Sequence, residues 1–177
     1  MKQHKGMRPH DLVVLLKINC YGNKPWLNKD LAKDLKISAS EISESLNRST
    51  AAGLIDSSKK RVFNRSLIDF ITHGLKYVFP AIPSNIVKGI PTAQGASIMK
   101  KFFHSEEIYV WPDASGKERG ICIEPLYPNA GKACLIDEKL YELLVLCDVF
   151  RIGKAREIKI AKEVLNNLIL KKNVASH

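Results

Sequence analysis

Ser40, Ser43, Glu44, Asn47 and Arg48 recur at spacings of three and four, opposite Ile42 and Leu46 in a helical register. Such a set lays short hydrogen-bonding groups along one outward face of a rod. Asn47 both donates and accepts, which matches the paired groups on an adenine edge, while Arg48 suits guanine or a phosphate. Ser40 and Ser43 can bond either class of group, and Glu44 can accept from a cytosine amine. A good bidentate pair of this kind discriminates against the wrong base by about 1–3 kcal/mol. A second set, Lys59, Lys60, Arg61 and Arg65, follows closely and is cationic, as contacts to a nucleic-acid backbone require. The chemistry on offer is recognition of double-stranded DNA, with base edges read by the first set and phosphates held by the second. Plainer readings stand beside it: Arg48 pairs with Glu44 one turn away on a solvated face, and Lys59 and Lys60 keep a hairpin tip soluble.

The elements that must position these groups are legible nearby. Ser38, three residues ahead of Glu41, predicts a capping box in which the hydroxyl accepts an amide and the carboxylate reaches back. A cap inside an apolar-periodic stretch predicts two helices, over 28–36 and 39–52, with the turn at Ile37 and Ser38. Their core is Leu31, Ala32, Leu35, Ile37, Ile42 and Leu46. Gly53 ends the second helix, and residues 54–56 and 61–63 pair across a polar turn to make a small basic wing. An earlier helix from near Pro9 carries Leu12, Val13, Leu15, Leu16 and Ile18, too apolar for one stripe, and is expected at the centre. Another amphipathic helix is expected over 65–78, stopped by Pro80.

Over residues 26–65 the run LAKDLKISASEISESLNRSTAAGLID and the basic segment after it resemble winged helix-turn-helix regulators of the MarR-like kind. The resemblance implies a DNA-binding transcription factor, commonly a repressor and commonly a homodimer on a two-fold operator. HGLKYVFP (73–80), GIPTAQGA (89–96) and EPLYP (124–128) are similar to a bacterial group of winged-helix proteins described only as regulators. The chain departs from the MarR pattern in lacking a long dimerisation helix on each side of the wing domain, which weakens the case for small-molecule sensing of that type.

The 177 residues suit one domain with an appendage: a winged helix-turn-helix domain over 1–80 and an extension over 81–177. The fold class expected is α+β, mainly helical, with a connector over 80–95, a β-hairpin from residues 108–111 and 120–123, and two helices over 136–151 and 155–170. Residues 81–177 invite three readings: dimerisation through the last two helices, a ligand pocket lined by Tyr109, Trp111, Glu124 and Tyr127, or a surface for a partner protein. Aromatic residues in strands also serve as plain core. Arg151, Lys154, Arg156, Lys159 and Lys162 form a further basic cluster, either extending a DNA-binding surface or simply solvated.

Net charge is +10, and residues 1–80 hold 14 Lys/Arg against 7 Asp/Glu, so the excess lies with the helix pair. Apolar content of 45% with 26% charge excludes disorder, and no run approaches the roughly 20 apolar residues needed to cross a bilayer. The basic N-terminus has no apolar segment of the secretory kind, so a cytoplasmic protein is expected. Cys20, Cys122, Cys134 and Cys147 form no CxxC pair, and none of His4, His10, His73, His104 and His177 completes a zinc spacing. Neither metal nor cofactor is expected. Glu106 and Glu107 are adjacent and diverge on any regular element, and no nucleophile or phosphate-loop motif appears, so no enzyme is expected. A different class remains open: a protein-interaction module, such as an adaptor or antitoxin-like subunit.

Overall fold

Eight consecutive residues, Asp11 to Ile18, are buried in the first helix, and the N-terminal half is arranged around that rod. The computed structural model describes residues 6–102 and 104–170; His4 and His177 lie outside them. α1 (Pro9–Tyr21) starts at Pro9, whose fixed φ suits a first helical position, and is apolar on nearly every side. α2 (Asn28–Leu35) ends at Lys36 in the left-handed region, with φ of 54°. α3 (Ala39–Ala51) starts on Ser38, whose Oγ accepts the Glu41 amide at 3.2 Å. Only that half of the expected capping box forms, because the Glu41 carboxylate faces Arg8, His10 and Arg48 instead. Gly53, with φ of +72°, closes α3, and the Leu54 amide returns to the Ser49 carbonyl at 3.0 Å.

The segment after α3 doubles back as expected, though its ladder is one isolated bridge between Ile55 and Val62. Asp56 shapes the turn by accepting the Lys60 and Arg61 amides at 2.9 and 3.0 Å. α4 (Asn64–Asp69) and α5 (Leu75–Val78) follow, joined without a break by a π turn over Phe70–Gly74.

Residues 80–95 differ from expectation. Where a connector without regular structure was anticipated, β1 (Ile86–Thr92) is a strand, followed by a 3₁₀ turn at Ala93–Gly95. Ile82 and Ile86 are exposed. β1 pairs antiparallel through its first half with β3 (Glu118–Cys122) and through its second half with β2 (Tyr109–Pro112). The start of β2 then pairs in parallel with the end of β3, closing a three-strand barrel. The hairpin expected from β2 and β3 is thereby corrected: the two meet only in parallel, and β1 takes the antiparallel bonds each would have given the other. Gly89 is where β1 changes partners, and a Cβ there would lie 2.0 Å from the Trp111 carbonyl oxygen. A Cβ on Gly116 would lie 2.3 Å from Gly89 backbone, so the closure is only as wide as two glycines allow.

Two short helices, α6 (Ser97–Lys100) and α7 (Ala130–Cys134), precede α8 (Glu138–Ile152) and α9 (Ala155–Leu170). α8 is buried continuously from Leu143 to Phe150 and packs against α1, α5, β1 and α9. The apolar face of α8 is covered by the chain's own core, whereas on α9 Ala161, Leu165 and Ile169 are buried and Ile158, Val164 and Leu168 are half-buried. The protein is α+β and mainly helical. Among the described residues no helix is long and apolar enough to cross a membrane.

Candidate nucleic-acid interface

α3 is fixed on α1 by small residues and one buried ionic cluster. Ser45 and Ser49 are buried with Ile42 and Leu46, so the two helices approach closely. Arg48 lies beside them and is 8% exposed, which removes it from the outward set. Its Nε and Nη2 donate to the two Asp11 oxygens at 2.8 and 2.7 Å, and Nη2 also donates to Glu41. The expectation that Arg48 reads bases is corrected: a wholly buried Asp11 on α1 needs a counter-charge, and Arg48 supplies it. Nor does Arg48 pair with Glu44, the plainer reading.

His10, Asp11 and Glu41 bring ligand-type atoms within 4.8 Å of one another. The Arg48 guanidinium donates to Asp11 and Glu41, and His10 Nε2 donates to Glu41 in turn, so the cation that the carboxylates call for is already covalently part of the chain. Burial works to raise the Glu41 pKa, but hydrogen bonds from Arg48 and His10 outweigh it and hold the carboxyl below its usual range. Hydrogen bonds donated to Asp11 and to Glu41 raise the Arg48 pKa against the opposing pull of burial. The cluster clamps α3 at a set angle to α1 and has no part to spare for a ligand.

What remains on the outer face of α3 is Ser40, Glu44 and Asn47, all exposed, with Ser43 half-buried. The Ser40 and Ser38 hydroxyls lie 3.2 Å apart. Lys59, in left-handed backbone at the tip of the turn after α3, donates to Asn47 Oδ1 at 2.6 Å, so that turn and α3 form one continuous surface. Lys60 turns the other way, its ammonium 3.8 Å over the Trp26 ring and 3.0 Å from the Trp26 carbonyl. Arg61 and Arg65 are exposed and carry no ion pair among the described residues. Lys29 and Lys33 on α2 are exposed as well and were not singled out from the sequence.

The aromatic pocket expected in the second half is split. Trp111 is 2% exposed and donates through Nε1 to Asp148 at 2.7 Å, and Tyr109 is buried with its hydroxyl on Glu107. Both are core: Trp111 meets Asp148 and Tyr141 of α8, and Tyr109 is buried two residues before it on the same strand. Glu124 and Tyr127 do line an open cavity of about 420 Å³, together with Phe79 and Arg151. Arg151, expected in a basic surface cluster, is turned inward and donates to Asp148 and to the Phe79, Pro80 and Glu124 carbonyls. Lys154, Arg156, Lys159 and Lys162 are exposed. Compared with known proteins, the chain matches no family model, no curated protein and no solved structure.

Proposed function

We propose that the protein is a winged helix-turn-helix regulator that binds double-stranded DNA through α3 and the basic turn after it. The observation that carries this reading is the bond from Lys59 to Asn47, which joins a cationic loop to the exposed polar face of a separately capped helix. A rod of that kind, standing beside a basic wing, has the shape that enters a major groove while its neighbour holds phosphate. The charge of +10, weighted to the N-terminal half, supports it. Ser40, Ser43, Glu44 and Asn47 are assigned to base contact, and Lys59, Arg61 and Arg65 to the backbone, Lys60 being turned onto Trp26. Two copies on a two-fold site would place two α3 helices about one DNA turn apart.

Selection of bound sequences from a random duplex pool, followed by titration of the winners, tests the proposal. Asn47→Ala is expected to relax base preference, and Arg61→Ala with Arg65→Ala to weaken every duplex about equally. Affinity should also fall steeply with salt, with fewer released counterions in the double variant. Duplex binding that is absent, or whose base preference is untouched by Asn47→Ala, refutes the reading. One observation favours a second reading: with Arg48 buried, the outer face of α3 keeps Glu44 and no cation of its own. That composition suits a protein partner, and a chain that ignores duplex DNA at low salt would point there.

A further inference from the structure

The open cavity of about 420 Å³ lies where the start of α1, the segment after α5 and the exit of β3 meet. Five prolines stand in its wall, Pro9, Pro80, Pro112, Pro125 and Pro128, beside the rings of Phe79 and Tyr127. Proline has no backbone N–H and a fixed φ. Such a wall offers mainly ring carbons, and its shape is set before any guest arrives.

Two charged residues line the cavity, and one of them is already spent. Arg151 donates to Asp148 at 2.8 Å and to the Phe79, Pro80 and Glu124 carbonyls. Glu124 is exposed and has no ion pair among the described residues. In a chain of net charge +10, the free charge of this lining is therefore negative. It repels phosphate and selects a guest that joins an apolar body to a cation.

The apolar surface does not stop at the cavity. Tyr77 and Val78, just before the lining Phe79, are 73% and 52% exposed, and Ile82, two residues past Pro80, is 80% exposed. A small cation seated in the cavity leaves that shelf bare. A pocket beside an exposed apolar shelf is the anatomy of a protein interface, where one buried anchor carries much of the affinity and rim charges choose the partner. We propose that the cavity and shelf dock a protein segment that inserts an aromatic or leucine side chain and sets a lysine or arginine against Glu124. The inference goes beyond DNA binding and does not depend on it.

The test selects dodecapeptides from a random phage-displayed library on the full chain, then titrates the winners as synthetic peptides by calorimetry. Winners are expected to carry Trp, Phe, Tyr or Leu next to Lys or Arg. Glu124→Arg should weaken them about fivefold, the scale of an exposed ion pair. Tyr77→Ser with Ile82→Ser should weaken them at least as much, while Glu118→Arg, exposed on β3 and outside the cavity, should change nothing. All of these side chains are exposed, so the variants are expected to melt with the wild type. No enriched sequence, acidic winners, or binding indifferent to Glu124→Arg overturns the proposal. Binding weakened by Glu124→Arg but untouched by the Tyr77 and Ile82 changes confines the guest to the cavity, and overturns the protein surface in favour of a small organic cation.

Discussion

At the scale of single residues, the most informative side chain is Arg48. Its place in the sequence falls at the edge of the polar arc of α3, where a helical period alone assigns it to solvent. Asp11, which captures it, lies 37 residues earlier, so no local pattern could reveal the pairing. Asn47, in the middle of the same arc, was legible and is exposed. The two residues should separate cleanly by experiment. Arg48→Ala leaves a buried carboxylate uncompensated and is expected to lower stability by about 3–5 kcal/mol, whereas Asn47→Ala should leave it within about 0.5 kcal/mol. Denaturant titration of both variants checks this, and near-equal midpoints would contradict the clamp. Thiol chemistry gives a second residue-level outcome. Burial pushes Cys20 and Cys134 up to about 12 and Cys147 higher still, while Cys122 is half-exposed. Iodoacetamide at pH 8 is expected to label Cys122 first and to spare Cys147 until the protein is unfolded, as peptide mass mapping would show.

Elements were legible where local signals agree. Ser38, Gly53 and the apolar spacing between them bound α3 within a residue, and α9 occupies the expected 155–170. β1 was hidden for a physical reason. It carries Gly89 and Pro91, residues that argue against a central strand. Beyond Gly89, however, β1 pairs with β2 alone, so a proline there leaves no partner strand unsatisfied on the other side. The parallel pairing of β2 with β3 was equally invisible, since two short strands around a turn-rich loop read as a hairpin whatever lies between them in space. The same geometry makes a sharp prediction for the barrel. Any side chain at Gly89 must displace the Trp111 carbonyl, so Gly89→Ala is expected to cost about 1–3 kcal/mol. Thermal unfolding of the variant beside the wild type decides it. A tolerated Gly89→Ala would mean that the strands do not close as described.

Across the whole molecule, two apolar helices each carry isolated charges, and those charges hold the parts together. Asp11 of α1 binds α3, and Lys17 of α1 binds Asp34 of α2 at 3.0 Å and Asp137, the N-cap of α8, at 2.6 Å. Asp148 of α8 accepts from Thr92, Trp111 and Arg151, which ties the barrel and the segment after α5 to the same rod. Ionic joints of this type set a window of pH. For Asp34, burial pushes the carboxyl upward, but bonds from the Tyr21 hydroxyl and the Lys17 ammonium prevail and leave its pKa lowered, as is that of Glu41. A lowered folded pKa means stability that is present above the unfolded carboxylate range, near pH 4, and lost as pH falls through the folded value. Lys17 is the mirror case: burial opposes its charge, yet Asp137 and Asp34 raise its pKa. Its contribution is present below about pH 10.4 and lost as pH rises through the folded value. The melting temperature should therefore hold a plateau between these limits and fall at both ends. Asp34→Asn is expected to lower the plateau and soften both edges, because one substitution removes a carboxylate from the acid limb and a partner of Lys17 from the alkaline one. A melting profile in which only the acid edge changes would show that Asp137 alone sustains Lys17, and that α2 is joined to the rest by packing rather than by charge.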